Sequence, residues 1–354
     1  MGKGPGFKSR RARQDQHEQL ISGYTVVDHD GFTLERIQAN SWATIVKIGF
    51  GWRIPEFPIR GQPVGQEFIT QVLESLEAAE GNFDSAWLSD HVIPWAAWQN
   101  PATDNLEGWT ALNYFMGVFN RLTFGHIVLC NSFRNPALLA KMTATLSVLS
   151  SNRFILGIGA GWKGDEYNSY GYDFPKASTR IEALDEAVQI IRKMWTEETV
   201  HFNGKHYRVN GAYCNPKPRP NPPIMIGGSG ERLLKVVASQ ADWWNGVLPL
   251  KTYQQKLSIL RKHCKDLGRD YDRIKKTWLG AIAIGRTESE AAGIAKNNPF
   301  NATDPPIIGT HDQVTTQLRE FVDLGVEYFI LRFLDFPSRT GIGLFAEKVT
   351  REFK

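Results

Sequence analysis

The feature that most restricts the fold of this chain is alternation. Apolar runs of strand length recur eight times, each followed by a stretch of helical periodicity. Strands read at Ala43–Gly49, Asp84–Leu88, Thr123–Cys130, Arg153–Trp162, Pro222–Gly227, Asp242–Val247, Thr277–Ile284 and Val326–Phe333. Helices read at Gln66–Glu80, Leu106–Val118, Asn135–Leu149, from Thr179 past Trp195, Gly230–Gln240, Thr252–Leu267, Thr310–Leu324 and Gly341–Phe353. Asn135 and Pro136 make a favourable helix start, and Thr179-Arg-Ile-Glu182 spells a capping box. A hairpin between Glu197 and Val209, turning at Asn203-Gly204 in a type I′ turn, is an insertion after the fourth helix. Such alternation with short connections implies an α/β fold with a parallel sheet closed as a (β/α)8 TIM barrel. A doubly wound open sheet stays as the alternative, because periodicity does not show closure.

Length suits one barrel: residues 41–354 form the expected domain, and residues 1–40 an N-terminal extension, basic and partly disordered. The chain has 41 basic and 37 acidic residues, a net charge of +4. Lys3, Lys8, Arg10, Arg11 and Arg13, against Asp15 and Glu18, put most of that excess in the tail. A nearly neutral body gives no reason to expect nucleic acid or membrane as a partner. Cys130, Cys214 and Cys264 are few and far apart, which fits a reducing compartment and offers no zinc framework. With no apolar leader and no membrane-length apolar run, the expectation is a cytoplasmic protein.

On a (β/α)8 barrel the chemistry sits at the C-terminal ends of the strands. Ser89-Asp90-His91 falls there, offering a carboxylate and an imidazole for acid/base work or for orienting a ligand. Asp90 could equally cap the following turn. His126, inside the third strand, reads as a buried core imidazole. Gly157, Gly159 and Gly161 end the fourth strand, and Ile226-Gly227-Gly228-Ser229-Gly230 joins the fifth to its helix. Each glycine run could expose backbone N–H groups to an anion or be an ordinary tight bend. Neither matches a Walker loop or the dinucleotide fingerprint. Of eleven tryptophans, Trp52, Trp95, Trp98 and Trp162 fall where they could wall a pocket for a planar ligand. Metalloprotease, thiol-redox and α/β-hydrolase motifs are missing from the sequence, and no metal site is expected.

Several stretches together resemble one family. SDHVIPW (Ser89–Trp95), FRNPALLAKMTATL (Phe133–Leu146), NRFILGIGAGWKGDE (Asn152–Glu166), Met194-Trp195 and PPIMIGGSG (Pro222–Gly230) occur in the order found in the bacterial-luciferase-like superfamily. They look most like its branch using the deazaflavin coenzyme F420. The resemblance runs from about Ala43 to Lys354. It implies a luciferase-like barrel with the cofactor at the C-terminal mouth and a non-proline cis peptide at or near Ile127-Val128, bulging against the ring. Asp90 would contact the cofactor, whose phosphate would lie between Gly159, Ala160 and Gly161 and Gly227, Gly228 and Ser229. By the same resemblance Asp90 and His91 match the catalytic pair, His91 handling the substrate hydroxyl proton, with Trp95 beside the reacting centre. Where the sugar-phosphate dehydrogenase relative has a glutamate after the strand-four glycines, this chain has Trp162, which favours a less polar substrate.

The expectation is therefore an F420-dependent oxidoreductase moving a hydride between the deazaflavin C5 and a small organic molecule. The alternative is an FMN-dependent, oxygen-using monooxygenase supplied with reduced flavin by a partner reductase. A third reading is a flavin-binding protein without turnover. Family analogy adds a homodimer.

Overall fold

The structure, a computed structural model, describes residues 47–59, 61–94, 100, 102–297 and 306–353. The expected extension over residues 1–40 lies outside the described residues. Eight parallel strands close on themselves: β1 (Gly49–Arg53), β2 (Ser85–Leu88), β3 (Thr123–His126, resuming as Leu129–Cys130), β4 (Phe154–Gly159), β5 (Ile224–Gly227), β6 (Trp243–Gly246), β7 (Lys275–Ile284) and β8 (Val326–Phe333). β6 pairs with β7, β7 with β8 and β8 with β1, so the sheet is a closed barrel and the open-sheet alternative falls.

Pleat alternation explains how the barrel fills. A Cβ on Gly51 or Gly125 would come within 2.4 or 2.3 Å of the Trp87 ring, so these inward positions stay empty for that indole. Trp87 meets Trp243 from the opposite strand at 6.4 Å between ring centroids, and Tyr328 completes the plug at 5.2 Å from Trp243. Phe50 and Trp52, alternating with Gly49 and Gly51, belong instead to the core between sheet and helices. There the helix Gly65–Ala79 buries Phe68, Val72, Leu76 and Ala79 at helical spacing. The helix Pro136–Leu149 starts at the expected cap: Asn135 Oδ1 accepts from Ala137 N at 3.0 Å.

Three local expectations differ from the fold, and three elements come in addition. The first described strand, Gly49–Arg53, runs past the expected end at Gly49 because its glycines are inward spacers and not breakers, while residues 43–46 of the expected Ala43–Gly49 lie outside the described residues. The capping box is not used: the helix Ala177–Thr196 begins before Thr179, and Glu182 instead holds Lys205 at 2.6 Å. The inserted hairpin (Val200–Asn203 with Arg208–Ala212) is present, but Asn203 pairs with Arg208, leaving a four-residue loop. Gly204 N donates to Tyr207 O across that loop, and three backbone N–H groups in it bond to Glu186, which overrides the two-residue turn. The helices Gly164–Ser169 and Glu288–Ala295 and the strand Ile307–Gly309 beside β7 were not foreseen.

Candidate functional site

A cavity of about 720 Å³ opens at the C-terminal ends of the strands, lined mostly by apolar groups. Its floor is lined by Gly159, Ala160, Gly161, Gly227 and Gly228 at the ends of β4 and β5 and by residues 127–130 along β3. The Ile127-Val128 peptide is cis and lies between the two pieces of β3. Val128 packs into a notch between neighbouring strands: a Cβ on Gly159 would come within 2.7 Å of Val128 Cγ2, and one on Gly227 within 2.8 Å of Val128 Cγ1. Those two glycines are therefore required by packing as well as by any ligand. Gly161 and Gly228 have φ of +76° and +127°, where a side chain is strained. Ile127, Val128, Gly159, Ala160, Gly161, Gly227 and Gly228 all line the cavity. Ser229 does not, although Gly228 and Gly230 on either side of it do.

Asp90 and His91 leave the end of β2 in different environments. Asp90 is buried, and its two oxygens accept from Arg134 Nη1 at 2.7 Å, Arg134 Nη2 at 2.9 Å and the Cys130 N–H at 2.8 Å. Burial pushes its carboxyl above the usual aspartate value, against the pull of the Arg134 guanidinium. Its partners are nevertheless all donors, the pattern of an ionised carboxylate. Arg134 also holds Glu107 at 2.7 Å, and Glu107 caps the helix Gly108–Val118 through Trp109 N and Thr110 N. Asp90 thus ties the end of β2 to the β3 bulge, a positioning role. The shared acid/base role expected of it does not suit a carboxylate so fully engaged.

His91 faces Glu166. Its Nδ1 lies 3.0 Å from both Glu166 oxygens, and Glu166 also accepts from Val92 N at 3.0 Å. A carboxylate at Nδ1 makes that nitrogen the N–H donor and fixes the orientation of the ring. Trp162 stands edge-on to the imidazole, centroids 5.8 Å apart, and lines the cavity. Trp52 does not line it: at 1% exposure it is core, for the alternation reason given above. Trp95 and Trp98 lie outside the described residues.

Other groups near the mouth have resting roles. Burial pushes the Cys130 thiol up to about 11, and Tyr167 Oη sits 3.0 Å from it, so a neutral thiol faces the cavity. Burial lowers His126 to about 3; its ring stacks on Trp109 and its Nε2 bonds the Gly108 carbonyl, as a core imidazole does. Burial works to raise the Glu56 carboxyl, but the Arg53 charge and hydrogen bonds from Ser89 and Arg53 hold it below the usual value. No cluster of three or more His, Cys, Asp or Glu residues able to hold a metal occurs among the described residues. No helix among them is long and apolar enough to cross a membrane.

Sequence reasoning missed Glu166, Arg134, Arg53, Glu56 and Arg180, all at or beside this cavity. Glu166 carried the best signal, an acidic residue five positions beyond the Gly161 turn and so still at the mouth.

Fold and site together define a (β/α)8 barrel whose mouth combines a backbone-walled slot with one carboxylate-oriented imidazole. The chain belongs to the luciferase-like monooxygenase family, whose profile matches residues 50–304. It is 34% identical over 207 residues to the F420-dependent glucose-6-phosphate dehydrogenase of Kineococcus radiotolerans, covering 57% of this chain and 60% of the relative. It therefore spans less than two thirds of that protein. With the enzyme of the same name from Microbacterium testaceum it shares 34% identity over 264 residues, 73% of this chain and 76% of the relative. The solved structure of an F420-dependent secondary alcohol dehydrogenase in complex with an F420-acetone adduct superposes with a TM-score of 0.72. That pair is 19% identical over 86% of this chain and 98% of the other, which shows a shared fold.

Proposed function

We propose that this protein is a coenzyme F420-dependent oxidoreductase that moves a hydride between the deazaflavin C5 and a small organic substrate, with His91 carrying the accompanying proton. The observation that carries this reading is the pairing of two features across one cavity. A backbone slot at Ile127-Val128, Gly159–Gly161 and Gly227–Gly228 faces an imidazole whose Nδ1 is fixed by Glu166. The slot suits the deazaflavin because the cavity is lined mostly by apolar groups. Gly159–Gly161, with the turn ahead of the helix Glu231–Gln240, offers N–H groups to the cofactor phosphate, and Arg180, bonded to the Gly161 carbonyl, adds a positive charge.

Bound F420 supplies a two-electron carbon centre that gives or takes hydride. The chain supplies the rest. Glu166 holds His91 in one tautomer; His91 Nε2 exchanges the hydroxyl proton of the substrate; Asp90 and Arg134 fix the β3 bulge. Exposed Tyr114, Val118, Leu138 and Leu149 on the second and third helices suit the dimer expected by family analogy.

The second reading, an FMN monooxygenase fed by a reductase, is favoured by the description of the family itself. Titration of the purified chain with F420 and with FMN, followed by quenching of ligand fluorescence, separates the two. Binding of F420 with little affinity for FMN supports the proposal, and tight FMN binding without F420 binding overturns it.

A further inference from the structure

Resting on the proton role proposed for His91, the charges around that imidazole single out one further residue, Lys163. It lines the cavity directly after Trp162 and is 8% exposed, a depth at which an ammonium is held by its partners. Its Nζ lies 2.7 Å from Asp165 Oδ2 and 3.9 Å from Glu166 Oε1. Asp165 is the outer of these two acids, with a side chain 57% exposed, and Glu166 the inner one, at 4%.

Three carboxylates surround His91 among the described residues: Glu56 from the segment after β1, Asp90 at the end of β2 and Glu166 from the helix Gly164–Ser169. Glu56 is paired with Arg53 at 2.5 Å, and Asp90 with Arg134, which also holds Glu107. Arg180 and Arg332 line the same cavity from the helix Ala177–Thr196 and from β8. Of the uncharged titratable neighbours, Tyr170 bonds the Val92 carbonyl and the Cys130 thiol is neutral. Glu166, the acid that touches the ring, forms its ion pairs among the described residues with His91 and Lys163. A buried carboxylate without another counter-charge draws a proton onto the imidazole it touches and keeps it there. An ammonium beside that carboxylate weakens the pull and leaves the ring able to release a proton as well as accept one.

We propose that Lys163 is a positioning residue for proton exchange: its charge beside Glu166 loosens the hold of that carboxylate on the His91 proton, and Asp165 in turn moderates Lys163.

The test reads the His91 ring directly, in the full chain without added cofactor. Isotope-labelled histidine is followed by NMR against pH, the His91 signal being the one missing from His91→Gln. Lys163→Met removes a positive charge and should raise the His91 midpoint by about half a pH unit or more. Lys163→Arg keeps the charge and should stay within about 0.3 unit of the parent. Asp165→Asn removes a negative charge and should lower the midpoint, by less, because Asp165 is half exposed and screened. The ionisation seen in kcat/KM against pH should shift in the same directions. A smaller rise with Lys163→Met, no change or a fall overturns the proposal. So does a shift with Lys163→Arg as large as that with Lys163→Met, which would make Lys163 a packing residue only. If Lys163→Met does not fold, Asp165→Asn decides alone: a lowered midpoint supports the proposal, and an unchanged or raised one overturns it. The ring titration needs no cofactor, so a failure of F420 to bind overturns the cofactor reading and not this one.

Discussion

At the ends of β4 and β5 the cavity wall is rich in glycine, with Val128 of β3 packed between them, whereas along β8, β1 and β2 it is rich in large side chains. The first arc keeps Val128 between Gly159 and Gly227, leaving a slot whose shape is set by backbone. The second presents Phe57, Phe336 and His91; Gln62 and Phe68 hold Phe336, and Glu166 holds His91. A backbone wall binds what is always the same, a cofactor; a side-chain wall can be altered to suit a substrate without disturbing the sheet. The segment leaving β4, a short loop and the helix Gly164–Ser169, joins the arcs, since it carries Trp162 and Glu166 back to His91.

Perturbing each arc separately should therefore give different signatures. His91→Ala should lower kcat/KM by ~10²–10⁴-fold with the F420 dissociation constant unchanged, checked by steady-state kinetics beside a binding titration. A comparable loss of cofactor affinity would break the division. Glu166→Gln keeps the shape but not the charge at His91 Nδ1. It should reduce kcat roughly 10–100-fold, again at constant cofactor affinity, and a drop confined to cofactor binding would move Glu166 to the other arc.

Gly159→Ala tests the backbone arc. The added Cβ would stand 2.7 Å from Val128 Cγ2, so the slot must distort. Weaker F420 binding is expected, with a loss of about 1–3 kcal/mol in denaturant unfolding, while kcat at saturating cofactor stays close to that of the parent. A further effect, on pH dependence alone, concerns His126, beneath the same arc, whose Nδ1 has no partner among the described residues. Burial lowers it from an ordinary value of 6.5 to about 3, so between those values the unfolded chain is protonated and the folded chain is not. Stability is then lost as pH falls through that window, by at most about 1.4 kcal/mol per pH unit. His126→Gln should flatten the slope in urea titrations at several pH values; an unchanged slope would show that His126 titrates alike in both states.

The two arcs also differ in how far the sequence exposes them. The glycine turns after β4 and β5 were visible because glycine marks places that a side chain cannot occupy, although the sequence did not show that Val128 fills the space beside Gly159 and Gly227. The barrel followed from alternation, whose period reports which face of each element is buried. Trp52 was misjudged because its neighbouring glycines resemble loop residues until the ring of Trp87 is placed beside Gly51. Glu166 and Arg134 were passed over for a different reason. Their partners, His91 and Asp90, lie 75 and 44 positions away, and no local pattern encodes a contact at that range.

Quenching of F420 fluorescence by the His91→Ala chain tests the division of labour most directly. The expected binding curve overlays that of the parent, as the proposed placement of the cofactor on the β3–β5 side and not on the imidazole requires. Binding weakened by tenfold or more would place His91 in the cofactor site and contradict it.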